Sequence, residues 1–391
     1  MGISKLGGKG LLKLLTLSAA SLAVSLLLAE GVLRIAPSLL PIELQILLDN
    51  NPDSRGIADP RVGNLPEPNS SGTIWTRDFK IDHRIDAHGF RNSEPWPDRA
   101  DIAVIGDSLV FGYGVEAGQA WPEILEDRLP GHTVVNLGLI GSGSQQHRRI
   151  YETFAKNLQP KLLVIAMFAA NDFWDAELFD RWLKAGSNGN YLEWRDFGRQ
   201  LTALDVGRPI KSARFLLTRY SYLYTLLRYA RRVVRSQSTS EAVPLEWSDG
   251  VILQLRPDYQ LDHAQHAVEG GAVFEIVLNS IRAIDAEATA EGTRTLVVLQ
   301  PSKEEIYLPF VGKESLDISG RLRATLTELG IDYLDLRPAF VRNAEQGERL
   351  FFSNDGHPNA AGYRLIAEEL STYIETEALL NGADRPDTLT P

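Results

Sequence analysis

From about residue 100 the chain alternates short apolar runs with longer stretches of helical periodicity. Runs of four to eight apolar-rich residues begin near 101 (DIAVIGDS), 133 (TVVNLG), 161 (KLLVIAMF), 294 (RTLVVLQ) and 331 (IDYLDL), each bounded by turn formers. Apolar residues at consecutive positions bury both faces of a strand, as a parallel sheet covered by helices requires. Residues 119–129, 144–159, 274–291 and 315–329 repeat apolar positions at helical spacing and predict the covering helices. The pattern therefore predicts a doubly wound α/β domain with a five-stranded parallel sheet, over 100–378.

Three stretches depart from this rhythm. Over a hundred residues separate the third and fourth runs, where a crossover needs only about a dozen, so 176–271 is expected to be a large, mostly helical insertion. Within it, Arg208, Lys211, Arg214, Arg219, Arg228, Arg231, Arg232 and Arg235 interleave with Phe215, Leu216, Tyr220, Leu223, Tyr224, Leu226 and Leu227. Such a basic amphipathic helix suits an anionic lipid surface or an acidic polymer, and equally suits packing on a core with its arginines in water. Residues 51–98 are rich in turn formers around the alternating run Phe79 to Ile85, which predicts a spacer with one hairpin over 30–99.

At the N-terminus no residue from Leu14 to Ala29 is charged. With Leu11 and Leu12, and Lys13 snorkelling back, the stretch 11–29 has 19 positions, about 28 Å of helix and enough to span a bilayer core. Lys5 and Lys9 precede it, Lys13 lies in its first turn and Glu30 follows, which predicts a cytoplasmic tail over 1–10 and everything after the span outside. A cleaved signal peptide has a similar start, but bulky Leu27 would sit at its minus 3 position; a buried core helix is the third option. Residues 379–391 read as a polar tail.

Composition narrows the function classes. The 391 residues are 44% hydrophobic, ordinary for a globular chain, and 51 acidic against 40 basic residues give a net charge of -11, which disfavours a nucleic-acid partner. The chain has no cysteine, which excludes disulfides, thiolate zinc sites, iron-sulfur clusters and a cysteine nucleophile.

In a doubly wound sheet, sites form beyond the carboxyl ends of the strands. The first run ends in Gly106-Asp107-Ser108, where a serine at a strand-to-helix turn can present its hydroxyl outward or simply cap the helix. The second ends in Asn136-Leu137-Gly138-Leu139-Ile140-Gly141, offering backbone N–H groups, and the third in Ala169-Ala170-Asn171-Asp172. After the last run comes Asn354-Asp355-Gly356-His357-Pro358-Asn359, ahead of a final helix. There an aspartate two residues from a histidine can orient the imidazole as a base for the serine. Lys303, past the fourth run, reads as a solvated lysine more than as an anion contact. His263 and His266, with Asp262, fit a surface helix better than a zinc site, and His83, His88, His132 and His147 form no constellation.

Together, the GDS, glycine, ND and HPN blocks resemble those of the SGNH/GDSL hydrolase superfamily, over about 100–175 and 275–377. The AEGVLRI segment after the apolar helix and GFRN before the first strand are similar to membrane-anchored bacterial members. The resemblance implies a flavodoxin-like three-layer α/β/α fold with no metal and no cofactor. It implies Ser108 as nucleophile, His357 as base, and an oxyanion hole of the Ser108 N–H, the Gly141 N–H and the Asn171 amide. The common pattern puts the acid three residues before the histidine, where this chain has Asn354; some members, polysaccharide O-acetyltransferases among them, use Asp-x-His, so Asp355 is the expected acid.

The expected activity is a serine esterase acting on ester-linked acyl groups, with O-acetyl on carbohydrate as substrate, outside a bacterial inner membrane. Two alternatives stay open. An O-acyltransferase would use the same triad and need a multispanning acyl-donor partner, since one helix cannot carry an activated acyl group across a bilayer. A non-catalytic subunit of a polysaccharide machine would be favoured by a missing nucleophile or base, and neither is missing. The insertion, with Trp174, Trp182 and Trp194, suits either shielding an acyl intermediate or holding a glycan.

Overall fold

The structure, a computed structural model, describes residues 8–42, 44–45, 56–93, 95–195, 217, 221–235 and 242–380. The chain gathers into two compact units, Met1–Asn51 with Ala203–Thr239, and Pro52–Thr202 with Ser240–Pro391.

The larger unit is built on five parallel strands, β1 (Ile102–Gly106), β2 (Val134–Gly138), β3 (Leu162–Met167), β4 (Arg294–Leu299) and β5 (Tyr333–Asp335). Their order, β2-β1-β3-β4-β5, is the flavodoxin-like one, as expected. Alternate side chains feed two cores, as consecutive apolar positions require. Ala103, Ile105, Leu163 and Ile165 meet helices Ser144–Thr153, Asp172–Lys184, Ala272–Ala290 and Gly320–Leu329 on one face. Ile102, Val104, Leu162 and Val164 meet Trp121–Arg128, Arg337–Glu345 and Ala360–Thr376 on the other. The result is a three-layer α/β/α domain.

The segment expected as a spacer is not one. Beyond residue 55 it forms two antiparallel hairpins, Ile57–Asp59 with Gly63–Leu65 and Ser71–Trp75 with Lys80–Arg84, inside the compact unit of the sheet. Ile74, Ile81 and Ile85 pack against Phe111. Arg91 of the GFRN segment is 2% exposed. Its Nη1 donates to the carbonyls of Gly112 (2.7 Å) and Phe111 (3.3 Å), and its Nη2 to that of Val115 (2.8 Å). Proline and glycine turns imitate a linker in sequence; here they route the hairpins across the sheet domain.

The insertion contributes helix Pro257–Glu269 and the hairpin Val243–Glu246 with Ile252–Leu255 to the same unit. Its basic stretch is described as the helix Tyr222–Arg235, whereas Arg208, Lys211, Arg214 and Arg219 lie outside the described residues, as do 1–7 and 381–391.

In the smaller unit, helix Gly8–Ile35 includes Leu12–Ile35, 24 residues long and apolar enough to cross a membrane. It runs unbroken through Ala29 and Glu30. The Glu30 carboxylate accepts from Ser221 Oγ (2.9 Å), Tyr222 N (3.1 Å) and Leu223 N (2.9 Å), capping the N-terminus of the basic helix.

Replacing Arg91 with methionine removes its hydrogen bonds to three backbone carbonyls, so Arg91→Met should lower unfolding free energy by about 3 kcal/mol. Denaturant melts of the two proteins measure this; an unchanged midpoint would mean the residue does not brace the domain.

Candidate active site

After β1 the chain turns through Asp107 into the short helix Ser108–Phe111. Asp107, not Ser108, is the cap: its Oδ1 accepts from Leu109 N at 2.9 Å, which leaves the Ser108 hydroxyl free for another partner. The helix lies tight on the sheet because two glycines leave room. A Cβ on Gly106 would come within 2.4 Å of Val110, and one on Gly138 within 2.2 Å of the Phe111 nitrogen. This turn stands between β2 and β3, where the strand order reverses and a crevice opens.

Into that crevice comes the loop after Phe351. Phe351 and Pro358 form an isolated bridge across its base. Asn359 then does two jobs: its Oδ1 accepts from Ala361 N (2.9 Å) and Gly362 N (3.1 Å), capping helix Ala360–Thr376, and its Nδ2 donates to Arg349 O (2.6 Å) and Phe351 O (3.3 Å). Held this way, His357 Nε2 lies 2.7 Å from Ser108 Oγ, and His357 Nδ1 lies 2.5 Å from Asp355 Oδ1. Asp355 Oδ1 also accepts from the His357 N–H at 2.9 Å. A carboxylate at Nδ1 makes that nitrogen the donor, so Nε2 faces the serine as acceptor. Asn354 points elsewhere: its N and Nδ2 donate to Asp78 at 2.9 and 2.8 Å, and Asp78 also accepts from Asp355 N at 2.7 Å. The Tyr113 ring packs 4.6 Å from the His357 ring.

The electrostatics follow from burial and charge placement. Burial alone would raise the Asp355 pKa, but the facing His357, then Lys303, hold it down at about 2. Burial would depress His357; Asp355, and more weakly Asp107, outweigh it and hold the imidazole above its ordinary value. Asp107 is fully enclosed and burial pushes its carboxyl up.

The other two expected residues come from neighbouring strand ends. Asn171 starts helix Asp172–Lys184 after β3, and its Nδ2 donates to Asp107 Oδ2 at 3.2 Å, which fixes the amide and leaves its second hydrogen uncommitted to that bond. Gly141 lies in the turn after β2 with φ +67°, a conformation that favours glycine. That turn is tied to the end of β1 by Leu139 N and Ser142 Oγ, which donate to Gly106 O at 2.9 and 3.3 Å. Arg195 donates to Gly141 O at 3.2 Å. Beside His357 and Asn171 lies a cleft of about 240 Å³, also lined by Phe168, Gln254, Arg256, Ser302, Lys303 and Glu304.

Sequence reasoning missed Asp78, Arg195, Tyr113 and the lining from Gln254 and Arg256. It also misplaced Lys303, which is not solvated but 1% exposed, because the loop 352–357 folds over it. One sequence signal was available: Ser302 and Glu305 form a capping box that starts helix Lys303–Tyr307 immediately beyond β4. His263 packs on Trp174 and His266 Nε2 lies 3.3 Å from Glu177, with no group of three metal-ligand side chains among the described residues.

Residues 104–365 match the sequence model of the GDSL-like Lipase/Acylhydrolase family. The chain belongs to this family. One relative, the Thioesterase 1/protease 1/lysophospholipase L1 of Escherichia coli K12, is 34% identical over 67 residues, 17% of this chain and 32% of that protein. The match thus spans about a third of that relative's length. Solved structures similar to this chain include a lipolytic G-D-S-L protein of Desulfitobacterium hafniense DCB-2 (12% identity, 69% of this chain and 97% of that one, TM-score 0.35). Another is the acetylxylan esterase Axe2 of Geobacillus stearothermophilus (12% identity, 70% and 94%, TM-score 0.36).

A carboxyl held at about 2, against an ordinary 3.8, contributes stability that is complete above its ordinary value and lost as pH falls toward 2. Thermal melts should therefore decline through that window, and Asp355→Asn should flatten the decline. An identical slope in the variant would mean Asp355 carries no such linkage.

Proposed function

We propose that the protein is a serine esterase that removes short acyl groups, O-acetyl on carbohydrate foremost, through an acyl-Ser108 intermediate. The observation that carries this reading is the unbroken run of contacts from Ser108 Oγ through His357 to Asp355. On this reading Ser108 Oγ attacks the ester carbonyl while its proton passes to His357 Nε2. The oxyanion is met by the Ser108 N–H, the Gly141 N–H and the Asn171 amide. Collapse breaks the ester C–O bond, and the imidazolium protonates the departing alcohol. Water, deprotonated by His357, then releases the carboxylic acid and restores the serine. Asp355 keeps the proton on Nδ1 and offsets the imidazolium charge, the role the family pattern gives to the residue at Asn354.

The cleft supports a short acyl group. Its volume of about 240 Å³ falls below the ~300 Å³ lower end of ordinary ligand pockets, which suits a short acyl group, and Gln254, Arg256 and Glu304 stand among its lining residues.

We further propose that the N-terminal helix is a retained anchor, with the enzyme on the extracytoplasmic side. The uncharged stretch from Leu14 to Ala29, the preceding lysines and the continuity of the helix through Glu30 support this. A reporter active only outside the cytoplasm, fused after Leu48, should be active and membrane-bound; a cytoplasmic signal or a shortened soluble product sinks the anchor.

For the chemistry, Ser108→Ala should abolish nearly all ester turnover by the detergent-solubilised full chain, and Asn171→Ala should reduce kcat by about 100-fold. Asp355→Asn should cost far more than Asn354→Ala. Supplied with an acetyl ester and an oligosaccharide acceptor, the enzyme should release free acetate, as read by mass spectrometry. Predominant acetylated sugar would replace hydrolysis by transfer while keeping the triad; full activity without Ser108 would remove the triad itself.

A further inference from the structure

Lys303 opens the helix Lys303–Tyr307 beyond β4, and its side chain is enclosed. Its Nζ donates to Phe352 O (3.3 Å), Ser353 O (3.2 Å) and Asp355 O (2.9 Å). An ammonium has three hydrogens, and these three carbonyls take them all. All three belong to the loop that presents Asp355 and His357 to Ser108. The nearby charges of Glu304, Asp355, Asp78 and Arg256 act on the ammonium without forming an ion pair with it among the described residues.

A buried cation bonded only to carbonyl oxygens is costly to desolvate, and an apolar side chain of similar length would avoid that cost. What the apolar residue would forfeit is the grip on three loop carbonyls and a positive charge beside the proposed triad. The groups bearing on His357 are Asp355 from its own loop, Asp107 from the turn after β1, the Tyr113 ring and Lys303. Lys303 alone among the three charged groups opposes a second positive charge there, and it also favours the ionised form of Asp355.

We propose that Lys303 is a positioning residue for the acid-base pair: it pins the 352–357 loop so that Asp355 meets His357 Nδ1, and it sets a positive charge behind that loop. The proposal rests on the reading of His357 as general base.

The test uses the detergent-solubilised full chain, p-nitrophenyl acetate as substrate, and kcat and KM measured from acidic to neutral pH. Lys303→Met should lower kcat by about tenfold or more with little change in KM, and should move the acidic limb of the profile to higher pH. Lys303→Arg keeps the charge, so its limb should stay where the wild type has it while the rate falls through poorer loop geometry. If Lys303→Met does not fold, Lys303→Gln, which retains an amide donor, carries the same comparison. A neutral variant that keeps the wild-type rate, or loses rate with its limb unmoved, overturns the proposal and leaves the triad standing. A wild-type profile with no limb in the imidazole range, or an active Ser108→Ala variant, overturns the base reading and this proposal with it.

Discussion

The parallel pairing of β1 with β2 on one side and β3 on the other is the constraint on which this site depends. Connections leave β1 and β3 in opposite directions, so the crevice above their carboxyl ends is unfilled by either crossover. The chain delivers Ser108 and Asn171 to that crevice directly, from the ends of adjacent strands. His357 arrives by a longer route. Its loop follows β5, the far edge of the sheet, and must reach back across β4 and β3 to meet Ser108. That distance explains why the loop is held at so many points: the Phe351–Pro358 bridge, Asn359, Asp78 and Lys303.

Two buried cations share one device. Arg91 donates to the carbonyls of Phe111, Gly112 and Val115, just after the Ser108 helix; Lys303 donates to the carbonyls of the loop before His357. Each loop bearing a member of the proposed triad is thus braced by a side chain from elsewhere in the sequence, through backbone oxygens that any residue could supply. Such bracing fixes geometry without dictating loop sequence, apart from the need for donors inside the protein.

This device also marks the limit of what the chain reveals when read as a string. The five strands, their covering helices and the strand-end blocks were legible because their signals are local: consecutive apolar positions, helical spacing, turn residues at run ends. Asp355, two residues from His357, was legible for the same reason. Asp78, Arg91 and Lys303 were not, since their partners lie between about 20 and 280 residues away and are mostly backbone atoms with no sequence identity. Lys303 went further astray, because an isolated lysine is ordinarily solvated. The hairpins at 57–84 were half legible: the alternation was visible, but the apolar surface that receives it, centred on Phe111, was not.

Asn359 joins two parts of the structure. Its oxygen starts helix Ala360–Thr376, and its nitrogen closes the base of the His357 loop. That helix packs on Trp121–Arg128 and fills one of the two cores. The same side chain thus ties the start of the C-terminal helix to the base of the loop that carries Asp355 and His357. On the proposed mechanism, a molecule whose last helix had opened would keep its serine turn and lose its base, so chemistry would wait on the seating of the final core element.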